Sequence, residues 1–113
     1  MNDNKGYVSH TVDMGSVNIS EEVIATISYA AINEVDGIAS VNGKIGGKGV
    51  RVVNDEAGLK INVSVMVKYG AVIPDVAKRV QNSVISAIEN MTGLKVAAVN
   101  VQISGVNFSK TVK

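Results

Sequence analysis

The stretch from Asn42 to Arg51 carries the residues best suited to binding a charged ligand. Glycines free backbone N–H groups that can surround an anion, and Lys and Arg side chains add positive charge. No acidic residue lies between Asp36 and Asp55, so no neighbour in the sequence neutralises these cations. The sequence therefore predicts a loop that binds an anion or a partner, with a solvated surface loop as the favoured interpretation. Its residues are Gly43, Lys44, Gly46, Gly47, Lys48 and Arg51.

Neither of two nucleotide-binding motifs fits this loop. A P-loop has Gly at its first position and Ser or Thr after its Gly-Lys pair. Aligned on Gly47 and Lys48, the chain has Asn42 and Gly49 at those two positions. Residues 43–46 have the GXXG form of a KH-domain loop, but that loop joins two helices, whereas both flanks here predict strands. Binding of RNA or an anionic surface is therefore a weak alternative, and nucleic acid is disfavoured as a partner.

The other reactive side chains do not form a recognisable catalytic set. The chain has no cysteine and a single histidine, His10, which lies in a polar segment. Zinc sites and Ser-His-acid hydrolases need histidine or cysteine partners that this composition does not supply. The carboxylates fall at helix ends, on helix faces or in turns, where none is placed as a buried general acid. We predict a protein with no catalytic activity, cofactor or metal.

Length and composition predict one ordinary globular domain. The chain has 113 residues, of which 46% are hydrophobic and 19% charged, and its formal net charge is +1. Such values are typical of a folded domain and not of a disordered segment. The chain shows neither the apolar run of a secretory signal nor one long enough to span a bilayer. The expected location is the cytoplasm.

Two helices are predicted from apolar residues that recur at three-residue and four-residue spacing. Ser20 can cap the first helix, which is expected to run to about Val35. Pro74 suits the first turn of the second helix, and a Thr-Gly pair at residues 92–93 ends it. The core face of the first helix is predicted to contain Val23, Ile24, Ile27, Ala30 and Ala31.

The remaining segments predict strands at residues 15–19, 38–41, 50–54, 59–68 and about 95–106. Two amphipathic helices can cover only one face of a sheet of this size. We therefore predict an α+β two-layer sandwich, with both helices on one face of a small mixed or antiparallel sheet and the order β-α-β-β-β-α-β. The domain is expected to span residues 14–108, with a mobile N-terminal arm at 1–13 and a C-terminal tail at 109–113.

The uncovered face of the sheet is the second candidate site. Apolar residues from Leu59 to Val67 alternate with polar ones, so the two sets fall on opposite faces of a strand. The polar face is either solvated or used for association, in which amide side chains would form hydrogen bonds between chains. The predicted association face consists of Lys60, Asn62, Ser64, Met66, Asn100 and Gln102.

Several short stretches share the order and spacing of a known family. They lie at residues 15–24, 30–31, 35–38, 67–70, 73–77, 80–81, 91–96, 99–101 and 105–106. Together they resemble the alkaline-shock protein family, also called Gls-type envelope stress response proteins. The resemblance marks four residues as fixed features of the junction around the second helix: Tyr69, Gly70, Gln81 and Gly93. Residues 42–49 depart from the family pattern, in which this loop is variable and often longer.

The resemblance also implies a class of function. Members are small cytosolic proteins of mainly Gram-positive bacteria, without established catalytic activity and linked to envelope or alkaline stress. Some are held at the membrane by a partner protein, and some are associated with control of fatty-acid synthesis. The expected partners are therefore a second copy of the chain and another protein, including a membrane-anchored one. The expected location becomes cytoplasmic, and peripheral at the membrane through that partner.

Three functions stay open at this point. The first is a non-enzymatic stress response protein that acts by self-association and protein docking near the cytoplasmic side of the envelope. The second is a protein-binding regulator of lipid synthesis, specifically of fatty acids. The third is a weak binder of RNA or an anionic surface through the glycine-rich basic loop.

Overall fold

The computed structural model describes residues 7–12, 14–41 and 49–108. Most of the predicted anion-binding loop, including Gly43, Lys44, Gly46, Gly47 and Lys48, lies outside these residues, as does the predicted tail at 109–113. The described elements are β1 (Tyr7–Val12), β2 (Gly15–Ser20), α1 (Glu21–Asn33), β3 (Ile38–Val41), β4 (Val50–Asp55), β5 (Gly58–Lys68), α2 (Ile73–Thr92) and β6 (Val96–Asn107).

The larger sheet is built around β5. Both β3 and β4 pair antiparallel with it, and they follow one another along the same edge: Val41 aligns with Val65, and Val50 with Val63. Both strands therefore lie end to end on the same side of β5. On the opposite edge β6 runs parallel to β5 over its whole length. The sheet is therefore mixed, with β5 in the middle.

Both helices pack on one face of this sheet, as predicted. The odd-numbered residues of β5 from Leu59 to Val67 are at most 4% exposed, which fits a strand with one buried face. The facing stripe of α2 recurs every four residues, at Val76, Val80, Val84 and Ile88, and Ile24 and Ile32 of α1 complete the core. Burying each such side chain contributes about 1.5–3 kcal/mol. The α+β two-layer prediction is confirmed.

The first helix begins where predicted but differs in its end and its buried face. The hydroxyl of Ser20 accepts a hydrogen bond from the N–H of Val23 at 3.1 Å. The helix ends at Asn33, because the next N–H groups bond three residues back, in the tighter geometry of a last turn. Val23 and Ala30, which were predicted to face the core, are exposed. Ala25 and Ile32 are buried in the core instead.

The N-terminal segment differs from the prediction of an arm outside the core. Tyr7–Val12 forms β1, which pairs antiparallel with β2 from Tyr7 opposite Ser20 to Val12 opposite Gly15. The hydroxyl of Ser9 also donates to Oδ1 of Asn18 at 2.7 Å. Val8 is only 5% exposed and belongs to the core. The prediction for residues 1–13 is therefore wrong for this strand, since pairing with β2 orders residues whose own sequence pattern is weak.

In the described ranges, neither helix is both long enough and apolar enough to traverse a bilayer.

Candidate functional site

The uncovered face of the sheet brings together residues from three strands in one row. Arg51 on β4 lies opposite Asn62 on β5, and Asn62 is aligned with Asn100 on β6. The side-chain amide of Asn100 donates to Oδ1 of Asn62 at 2.7 Å. Register therefore fixes a polar row across the sheet, and the amide–amide bond orders its centre.

An open depression of about 330 Å³ lies on this face. It is lined by side chains of Arg51, Asn62, Ser64, Asn100 and Gln102, with Val63 and Val101 in its floor. Four of the six residues predicted for the association face thus line one surface. Arg51 was assigned by sequence to the glycine-rich loop, and the structure places it in this row.

The other two predicted residues lie towards the ends of the face. The ammonium group of Lys60 is 3.9 Å from a carboxylate oxygen of Asp55, and both side chains are well exposed. An exposed pair of this kind contributes about 0–1 kcal/mol. Met66 lies beside Gly105, where an added Cβ would be 3.5 Å from the methionine Cε. The described residues in the middle of the face are consequently uncharged, and Arg51 lies at the β4 end of the row.

The chemistry of this surface suits recognition. Amide side chains both donate and accept hydrogen bonds. The described residues that line the depression include no carboxylate, histidine or thiol that could transfer a proton or attack a substrate. Across residues 7–12, 14–41 and 49–108, no group of three or more His, Cys, Asp or Glu is arranged to hold a metal ion.

Two of the four junction residues are glycines with positive φ. Gly70 has φ 92°, between β5 and α2. Beside it the N–H of Tyr69 donates to the carbonyl of Asn107 at 3.2 Å, and the Tyr69 ring lies 5.0 Å from that of Phe108. Gly93 ends α2 in the left-handed conformation, with φ 77°. Both positions favour glycine for a backbone reason.

Gln81, the fourth junction residue, fastens α2 to β6. Its side-chain amide donates to the carbonyl of Val99 at 3.0 Å. Two turns later along α2, a carboxylate oxygen of Glu89 accepts from the N–H of Val96 at 3.2 Å. Sequence reasoning missed Glu89, because nothing local links a helix residue to a strand seven residues further on. Together these bonds fix α2 antiparallel to the first part of β6.

Replacing Gln81 with Ala is expected to lower the free energy of unfolding by about 1 kcal/mol, since it leaves a partly buried strand carbonyl without its donor. Urea denaturation measures this loss. Asn82→Ala is the matched control, because it removes the neighbouring exposed amide and is expected to change stability by less than about 0.5 kcal/mol. Equal effects of the two changes would show that the Gln81 bond does not stabilise the junction.

Solved structures share this fold at low sequence identity. A MamM CTD variant in its zinc form matches with a TM-score of 0.52 and 15% identity, covering 81% of this chain and 92% of that one. Another MamM CTD structure matches with a TM-score of 0.51 and 13% identity, covering 74% of this chain and 95% of that one. At this identity the likeness concerns the fold alone.

Relatives at higher identity include proteins of Bacillus subtilis and Streptococcus pyogenes. The uncharacterized protein YqhY of Bacillus subtilis is 36% identical over 107 residues, which cover 84% of this chain and 79% of the relative. The uncharacterized protein Spy1535 of Streptococcus pyogenes is 30% identical over 110 residues, covering 88% and 85%. A family model matches residues 9–108, nearly the whole described domain. These matches confirm the resemblance seen in the sequence: the chain belongs to the alkaline-shock protein 23 family, whose function is related to the cell envelope.

Proposed function

We propose that this protein is a non-enzymatic stress response protein that acts by docking near the cytoplasmic side of the cell envelope. In this proposal it self-associates through the open sheet face and binds a further protein, including one held at the membrane. The observation that supports it is the amide row formed by Asn62 and Asn100, with Gln102 beside it, on a sheet face that neither helix covers.

The face is suited to a second copy of itself. Because each amide both donates and accepts, two copies related by a two-fold axis can satisfy one another without a complementary partner surface. Arg51, the cation of this row, lies at its β4 end and not at its centre, and Lys60 lies towards one end of the face beside Asp55. Two such faces can therefore meet at their uncharged middle.

The size of the face sets the strength of association to expect. The strands β5 and β6 are 11 and 12 residues long, and β3 and β4 lie end to end along the other side of β5. Their face measures roughly 14 Å by 33 Å, or roughly 450 Å² in projection. A stable interface of standard size buries about 800 Å² of each partner. We therefore expect weak association that grows with protein concentration.

The test uses two opposite charges at the same position, Asn100→Lys and Asn100→Glu. Each variant alone is expected to weaken self-association about tenfold or more, because like charges meet across the interface. Mixing the two in equal amounts is expected to restore it, since opposite charges then face each other. Sedimentation velocity from about 10 μM to 1 mM covers the range in which weak complexes form.

Asn90→Lys provides the matched control, because it adds the same charge at an exposed amide of α2, away from the open face. It is expected to associate like the unmodified protein. A strictly monomeric unmodified protein over the whole concentration range would contradict the proposal. So would association that neither Asn100 variant alters.

A further inference from the structure

Two hydrogen bonds show towards which neighbouring strand each residue of β5 points its backbone N–H and C=O groups. The N–H of Ser64 donates to the carbonyl of Gly49, and that of Lys68 to Gly37, both on the side of β3 and β4. Successive residues of a strand point their backbone groups to opposite edges. The even-numbered residues of β5 therefore face β3 and β4, and the odd-numbered ones face β6.

The same geometry leaves backbone groups of β6 pointing away from the sheet. In a parallel ladder, a residue bonds to the two neighbours of its aligned partner and not to the partner itself. Val63 is aligned with Val101, and Val65 with Ile103. The N–H and C=O groups of Val101 and Ile103 consequently point to the outer edge of β6. The Val99 carbonyl fits this pattern, because the Gln81 side chain reaches it from outside the ladder.

Only the beginning of this edge is closed by α2. Glu89 and Gln81 engage Val96 and Val99, as described above. Within the described ranges, no hydrogen bond joins α2 to Val101 or Ile103. Among the residues that the structure describes, the edge is therefore open at Val101 and Ile103.

Residues 100–103 of this edge carry none of the usual protection against strand pairing. Edge strands are commonly blunted by charged residues, proline or bulges. Residues 96–107 contain no Lys, Arg, Asp, Glu or Pro. A register irregularity near Ser104, whose hydroxyl donates to the Val65 carbonyl at 3.1 Å, ends the regular ladder. A short accessible edge of about four residues lies between the α2 closure and this irregularity.

The flank of α2 supplies an apolar wall and a cation beside that edge. Val101 and Ile103 are partly buried against the core and partly exposed. Ala77 and Lys78 lie one helical turn before Gln81 on the same side of α2, and the helix runs antiparallel to β6. Lys78 is exposed, and the sole ion pair in the described part of the chain joins Lys60 and Asp55. The rim of the edge thus carries an unpaired positive charge.

From these observations we infer that the outer edge of β6 at residues 100–103 binds an extended segment of a partner protein by strand addition. The segment has apolar side chains at alternate positions and one carboxylate facing Lys78. A second copy of β6 fits less well, because that strand has no carboxylate and would bring the Lys78 side chains of the two copies towards each other. The inference concerns a different surface and a different partner from those of the proposed self-association.

The test measures amide hydrogen exchange of Val101 and Ile103 with a synthetic peptide, acetyl-Thr-Val-Glu-Val-Thr-Val-amide. Both amides point outward, so they are expected to exchange quickly in the free protein and about tenfold more slowly with peptide at about ten times its Kd. Unchanged exchange at saturating peptide would overturn the inference. If, without peptide, the exchange of these two amides becomes slower as the protein concentration rises, the edge binds a second copy of the chain. That result would also overturn the inference.

Two further variants separate binding from folding. Val101→Pro removes an outward N–H without removing a bond to β5, so peptide binding is expected to be lost. Val52→Pro is the matched control on the opposite sheet edge, because Val52 lies opposite Ile61 and its N–H also points outward. This control is expected to bind the peptide normally.

Lys78→Glu tests the positive charge beside the edge. Unlike Val101→Pro, this variant does not require the fold to accept a proline in β6. The variant is expected to bind the glutamate peptide about tenfold more weakly and to prefer a peptide with lysine in place of glutamate. An unchanged preference would contradict the assigned carboxylate contact. Asn62→Lys alters the open face on β5 and is expected to leave peptide binding intact. Peptide binding and self-association are therefore tested by different variants, and the failure of one proposal can be distinguished from the failure of the other.

Discussion

Gly37→Ala is expected to lower the free energy of unfolding by about 3 kcal/mol or more, from a strained φ and an overpacked contact. Gly37 has φ 97°, and a Cβ built there lies 2.6 Å from Cγ2 of Val76. The turn cannot shift easily, because the Gly37 carbonyl accepts from the N–H of Lys68 at 2.8 Å. Val76 lies in the first turn of α2 and is only 2% exposed.

Gly70→Ala separates the cost of the strained φ from the cost of the overpacked contact. Gly70 has nearly the same φ, 92°, but an added Cβ meets no heavy atom within 4 Å. Its expected cost is therefore the backbone strain alone, about 1–2 kcal/mol. Chemical denaturation measures the loss in the free energy of unfolding for both variants, and the difference between the two losses is the cost of the contact with Val76. Equal losses would show that the close approach of α2 to this turn is unimportant.

A double variant tests the contact directly. Val76→Ala removes the atom that the new Cβ would meet, so the cost of Gly37→Ala is expected to be smaller in that background than in the unmodified protein. Contacting residues commonly show such non-additivity, with coupling energies of about 0.5–3 kcal/mol. Strictly additive losses would place the strain elsewhere in the turn.

Local signals made part of this fold predictable. The alternation on β5 is strict over its length and leaves one face apolar, which fixes the side turned to the helices. The Ser20 cap and the glycine after α2 act within one turn of chain, so residue type alone indicates them. The same alternation predicted the open face, because the polar residues of a strand lie on the face opposite its buried apolar residues.

The features that the sequence did not predict depend on contacts between residues far apart in the chain. Nothing in the sequence of β1 requires a strand until β2 is placed opposite it. The first helix is apolar around much of its circumference, so only contact with the sheet decides that Ala25 is buried and Val23 exposed. The position of Arg51 in the amide row depends on the register of β4 against β5, which local patterns do not encode.

Ile61→Ala is expected to lower the free energy of unfolding by about 3–4 kcal/mol, through lost burial and a cavity that the surrounding core cannot fill. Ile61 is fully buried on the central strand, under the helices. Ile103→Ala is the matched control on another strand of the same sheet. It is only partly buried, so its expected cost is about 1–2 kcal/mol. Similar losses at the two positions would contradict the central place of β5 in the core.

Ile61 and Asn62 are neighbours on β5 that point to opposite faces, which lets stability and docking be measured apart. At a temperature where Ile61→Ala is still folded, it is expected to self-associate like the unmodified protein, because the open face is unchanged. Asn62→Lys is expected to show the reverse: stability within about 1 kcal/mol of the unmodified protein, and weaker association. If folded Ile61→Ala loses association while Asn62→Lys retains it, the contact surface lies on the helical layer and not on the open sheet face.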